Sequence, residues 1–172
     1  NSWAPAWDAK GEFIYFLSDR NLRTLVGAPW GNRRPEPYFD KEVEIYQVAL
    51  RTGLRSPFLP DDELRKPAAL AGKPDTTTRP VQIDLDGLPL RIRRVPVPSG
   101  NFNALAANAE ALFYAARGSG ADAKTDLTAL KIGNEKPEPV VVVDDIRSAA
   151  LSANGKKILV RKGNNLHVIE AK

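Results

Sequence analysis

The chain has no cysteine and a single histidine among its 172 residues. The first absence removes disulfides, thiolate metal sites and cysteine nucleophiles together. The second leaves only His167 to act as an imidazole base, and a Ser-His-acid triad would need that ring held between a nucleophile and an orienting acid. Ser18 and Ser152 are the serines to weigh, and both belong to strand or turn motifs with structural reasons of their own. His167 therefore reads as a strand residue with a partly exposed ring. No catalytic residue is assigned.

Metal binding is left to carboxylates alone. Asp84-Leu85-Asp86-Gly87 has the core of a calcium loop but lacks the other acidic positions and the distant glutamate that complete its oxygen count. It reads as an outer strand ending in an Asp-Gly turn. Asp144-Asp145 closes a valine run and reads as a charged strand exit. No glycine pattern matches a phosphate-cradling loop. Neither a metal nor a cofactor is expected.

Long hydrophobic runs are also missing. None approaches the roughly 20 residues that span a bilayer, and the first residues lack a basic segment followed by an apolar one. No membrane anchor or signal peptide is expected in this stretch, and the compartment, cytoplasmic or periplasmic, stays open. The net charge of +4 invites a nucleic-acid reading, but residues 1–60 hold 8 Lys/Arg against 7 Asp/Glu and residues 61–172 hold 17 against 14. A phosphate-tracking stripe would be denser, so no nucleic acid is expected. Arg91, Arg93 and Arg94 form the tightest basic group, and strand alternation places Arg91 and Arg93 on one face. They read first as a solvated strand face, with contact to a carboxylate or a partner as the sharper alternative.

What the chain does contain is a repeat. Trp7 to Phe16 lines up with Leu151 to Val160 and, more loosely, with Leu105 to Tyr114. Each copy is strand, tight turn, strand. The turns Asp8-Ala9-Lys10-Gly11 and Ser152-Ala153-Asn154-Gly155 put a side-chain acceptor first and glycine last, which suits a local cap and a positive φ at the turn's end. The β-branched and aromatic run after each turn suits a buried strand. The last two copies start 46 residues apart, close to the roughly 40–50 residues of a propeller blade.

Strands are predicted near 3–7, 12–18, 43–50, 89–97, 102–107, 110–116, 125–132, 138–144, 148–152, 156–161 and 165–170. The fold class is all-β: a partial β-propeller of about three four-stranded antiparallel blades, the last incomplete. The blades are 1–98, 99–146 and 147–172, with inserted loops at 21–41 and 57–80 in the first. The first loop reads as ordered and packed on Trp30, and the second as mobile with a short helix near Asp61 to Leu70. Trp7, Ile14, Phe16, Phe113, Leu151 and Ile158 are expected between blades. In Ser18-Asp19-Arg20 the aspartate is expected to cap a turn and Arg20 to pair across blades. Arg20, Arg91 and Arg93 are the weak candidates for ligand or partner contact. Because propellers close a ring so that no long edge remains, the chain is expected to be a piece of a larger propeller, and by itself to self-associate.

Phe13 to Arg20, Glu44-Ile45-Tyr46 followed by Ser56-Pro57-Phe58, Ile83 to Leu88 with Arg91, Val95 to Phe102 and Leu151 to Gly163 occur in an order that resembles the larger propeller of tricorn-type proteases and their bacterial homologues. The resemblance covers nearly the whole chain, and Ser-Pro-Phe and Asp-Leu-Asp-Gly-Leu are its most specific parts. The strand-turn-strand copies alone equally fit TolB-like propellers. The resemblance implies a parent peptidase in which two propellers precede a PDZ domain and catalytic domains carrying a serine nucleophile and a histidine. The family's catalytic motifs have no counterpart here, so none of its active-site residues is carried over. The implied partners are the remaining blades, the PDZ and catalytic domains, and peptides. The implied role is access, assembly or substrate guidance. A TolB- or WD-like interaction platform and a prolyl-oligopeptidase-type cap share the same blades and stay open as alternatives.

Overall fold

The computed structural model describes residues 1–21, 39–60, 80–120, 122–134 and 138–172. The expectations about Trp30 and about a helix near 61–70 lie outside the described residues. Eleven strands form three antiparallel sheets among them. The first sheet is β1 (Ser2–Trp7), β2 (Phe13–Ser18), β3 (Glu44–Ala49) and β4 (Ile92–Arg94), paired in that order. The second is β5 (Asn101–Ala107), β6 (Ala111–Arg117), β7 (Thr125–Lys131) and β8 (Val140–Val143), again in chain order. The third holds β9 (Ser148–Leu151), β10 (Lys157–Lys162) and β11 (Asn165–Glu170), with β10 in the middle and β11 at one edge. No described helix is long and apolar enough to cross a membrane.

The strand-turn-strand copies are held as their chemistry requires. Asp8 Oδ1 accepts from the backbone N–H groups of Glu12 at 2.7 Å and Phe13 at 2.9 Å, and Gly11 turns the chain at φ +66°. Ser152 Oγ accepts from Lys157 N at 2.9 Å, and Gly155 has φ +67°. The copy that has alanine in place of glycine is capped by Asn108, whose Oδ1 accepts from Glu110 N at 2.9 Å and Ala111 N at 2.8 Å. Bulges fall at matching places in the first strands, between Trp3 and Ala6 in β1 and between Phe102 and Ala104 in β5.

The sheets bury opposite faces against one another. Phe13, Tyr15 and Leu17 of β2 and Ile45 of β3 pack on Phe102, Leu112, Tyr114 and Leu130 of the second sheet. Phe113, Ala115 and Leu127 then pack on Ile158 and Val160 of the third. This corrects part of the expected core. Phe113 and Ile158 do lie between sheets with Leu151 partly buried beside them, but Ile14 and Phe16 sit half-buried on the outer face of the first sheet and Trp7 is 49% exposed. All five residues from Phe13 to Leu17 are apolar, so alternation could not tell which face meets the neighbour.

The strand foreseen at 89–97 is shorter. Pro89 lies in the first turn of a 3-10 helix over Leu88–Arg91, and β4 ends at Arg94 with one further bond, from Val95 N to Ile45 O at 2.8 Å, just before Pro96. Proline fixes φ and lacks an N–H, so it cannot extend a ladder.

Candidate functional site

The three candidate arginines lie in two different places. Arg20 follows β2 on the outer face of the first sheet. Its guanidinium sits 5.3 Å from the Phe16 ring centroid and 4.6 Å from that of Tyr46, while its N and Nε both donate to Ser18 Oγ at 3.3 Å. The two rings are themselves stacked at 5.8 Å. Arg20 thus covers aromatic surface of its own sheet, and no hydrogen bond or ion pair to another sheet is seen among the described residues.

Beside that stack Glu44 organises a polar network. Its Oε1 accepts from Arg94 NH1 at 2.6 Å, and its Oε2 accepts from Asn21 Nδ2 at 2.9 Å and from the Tyr46 hydroxyl. Burial pushes the carboxyl up, but the hydrogen bonds from Tyr46, Asn21 and Arg94 outweigh it and leave Glu44 below the ordinary carboxylate range. Burial and the same carboxylate push the Tyr46 hydroxyl up to about 12. The network is filled by its own members.

Arg91 and Arg93 share one cleft. Arg91 donates through Nε to Ala49 O at 2.9 Å, through NH1 to Asp86 O at 2.7 Å, and through NH2 to Leu50 O at 3.4 Å and to Asp84 O. The fork ties residues 84–86 to the end of β3, and Asp84 strengthens the tie by accepting Thr52 N at 2.7 Å. That backbone hydrogen bond holds the Asp84 carboxyl below its ordinary range. Arg93 lies opposite Gln47 in the β3–β4 ladder, exposed, with no partner among the described residues. The two residues line a cleft of about 580 Å³ together with Ser56, Leu59, Asp86 and Leu90. Sequence reasoning missed Gln47, which is 1% exposed yet leaves Oε1 without a hydrogen-bond partner. Its place on a strand of apolar neighbours carried no signal.

His167 is exposed on β11 opposite Val160, and no hydrogen bond to it is seen among the described residues. Ser18 lies in the first sheet, its hydroxyl donating to Asn1 O at 2.6 Å, and Ser152 is spent capping its turn. Among the described residues no three of His, Asp and Glu gather as metal ligands.

Three antiparallel sheets of four, four and three strands, packed face to face in chain order, define a partial β-propeller. No protein-family model matches the chain, and no curated protein does. Its fold is similar to a crystal structure of the tricorn protease, with TM-score 0.68 and 18% identity over 99% of this chain. The chain spans 16% of that protein's length, and at this identity the likeness is one of fold.

Proposed function

We propose that the chain is a non-catalytic propeller segment of a tricorn-like serine peptidase, with blades at 1–98, 99–146 and 147–172, which guides peptides to or from the catalytic domains or supports their assembly. The observation that carries this reading is a mismatch between equivalent positions of the repeat. Tyr15, Phe113 and Leu159 correspond, and the first two are 1% and 3% exposed under the next sheet, whereas Leu159 is 44% exposed. On the opposite faces Ile14, Leu112 and Ile158 correspond. Leu112 and Ile158 are 0% and 1% exposed, whereas Ile14 is only half-buried. Each end of the stack therefore presents the face that elsewhere in the repeat meets a sheet, which is what further blades would cover.

These 172 residues contain no cysteine, so Leu159→Cys is their one thiol, and peptide mapping reads its labelling in the longer polypeptide. Labelling is expected to be fast in the 172-residue chain and slow in the full polypeptide of its reading frame. Equally fast labelling in both would show that no blade covers the face. The 172-residue chain, freed of host proteases, is expected to leave fluorogenic peptides uncut, and turnover that vanished in His167→Ala would overturn the non-catalytic reading.

A further inference from the structure

The cleft between the end of β3 and the 84–93 segment carries more unspent polar capacity than packing requires. Arg91 is saturated by carbonyls, and Arg55 at the rim donates to Pro60 O. Arg93 and the Asp86 carboxylate are different: neither has a hydrogen bond or ion pair among the described residues, and both line the same space. At its floor Ser56 is buried and Gln47 keeps an unpaired Oε1. Unsatisfied buried acceptors are uncommon in folded proteins and need a reason. Apolar side chains share the lining with these polar groups and with Thr52 and Arg55: Phe13, Leu54, Leu59 and Leu90 border the space, Leu90 86% exposed and Leu59 38% exposed. A volume of about 580 Å³ lies within the range of roughly 300–1,000 Å³ usual for small-ligand sites.

A cation and a carboxylate that have no partner among the described residues, beside apolar side chains in one cleft, suit a ligand with the complementary set. We infer that the cleft binds a short apolar peptide with free termini, its carboxylate on Arg93 and its ammonium toward Asp86. The choice of peptides among zwitterionic ligands rests on the peptide-guiding reading above, but the charge requirement comes from the cleft itself. Arg91 acts as a positioning residue, because its fork to the Asp84 and Asp86 carbonyls holds Asp86 at the cleft. Guanidinium and carboxylate pair with directional, charge-assisted hydrogen bonds, so the carboxylate end gives most of the discrimination.

The test is calorimetric titration of the 172-residue chain with Leu-Leu, Leu-Leu-amide and N-acetyl-Leu-Leu. Leu-Leu should bind saturably. The amide should bind at least about tenfold more weakly, and Arg93→Gln should lose a similar factor for Leu-Leu. Asp86→Asn should weaken Leu-Leu and leave N-acetyl-Leu-Leu unaffected. The Gln47 side-chain amide resonances should shift on titration, which reports occupancy independently of heat. Arg93 has no partner to lose among the described residues, so its variant should melt like the parent. Equal binding of Leu-Leu and its amide, unchanged affinity in Arg93→Gln, or no saturable binding up to about 10 mM would each overturn the inference. None of these results bears on the Leu159→Cys labelling, so the cleft and the docked blades fail separately.

Discussion

Asn108 of the second sheet holds Gly155 of the third: its Nδ2 donates to Gly155 O at 2.9 Å, and a Cβ on Gly155 would stand 3.1 Å from the Asn108 Cβ. The same Nδ2 donates to Ala171 O at 3.0 Å, and Oδ1 caps the turn of its own sheet. One side chain thus closes a local turn and ties the next repeat to it.

Replacing Asn108 by alanine removes those hydrogen bonds and strands buried backbone groups, at a cost of about 2–3 kcal/mol. Gly155→Ala should cost about 1–2 kcal/mol, because a φ of +67° is strained for alanine and the space is already narrow. Urea unfolding curves measure both. If Asn108→Ala unfolds at the wild-type midpoint, the tie contributes nothing.

Ile14 and Ile158 are the same residue at equivalent repeat positions in different surroundings. Ile158→Ala should cost about 2–5 kcal/mol because it opens a cavity between two sheets. Ile14→Ala should cost clearly less in the 172-residue chain. Thermal melts compare them directly, and equal losses would mean that the outer face of the first sheet is already covered.

Glu44 makes stability depend on acid. Its folded pKa is depressed below the ordinary 4.5, so its contribution is fully present above that value and is lost as pH falls through the lower folded one. Glu44→Gln should be less stable than the parent near pH 6, with the gap narrowing as pH falls below 4.5. Denaturation midpoints across that range give the answer. A gap that stays constant would detach the network from the carboxylate's charge.

Arg91→Lys should fail where Arg91 succeeds, because an ammonium cannot span the separated carbonyls of Ala49, Leu50, Asp84 and Asp86. Hydrogen exchange at Asp84 N, which donates to Leu50 O at 2.9 Å, should accelerate at least about tenfold. Unchanged exchange would show that the segment is held by other means.

Leu159, Leu166 and Val168 expose apolar surface on or beside an open edge. Light scattering should show association of the 172-residue chain as concentration rises, and Val168→Lys should suppress it. A strictly monomeric parent protein would remove the basis for this expectation.

Much of the architecture was legible in the residues themselves. Repeated turns with an acceptor first and glycine or a substitute cap last, each followed by a β-branched or aromatic run, mark the positions of strands because turn chemistry and strand chemistry are local. What locality could not decide was which face of Phe13 to Leu17 meets a neighbour, since every residue there is apolar and only the packing of one sheet on the next buries Tyr15 and leaves Phe16 half-covered. The fates of Arg91 and Arg93 were equally undetermined. They are two residues apart with identical side chains, but carbonyls from distant segments converge on the first and, among the described residues, none reaches the second. Composition supplies the charges, and only the tertiary fold brings up the carbonyls that satisfy the donors of one guanidinium and, among the described residues, leaves those of the other unbonded.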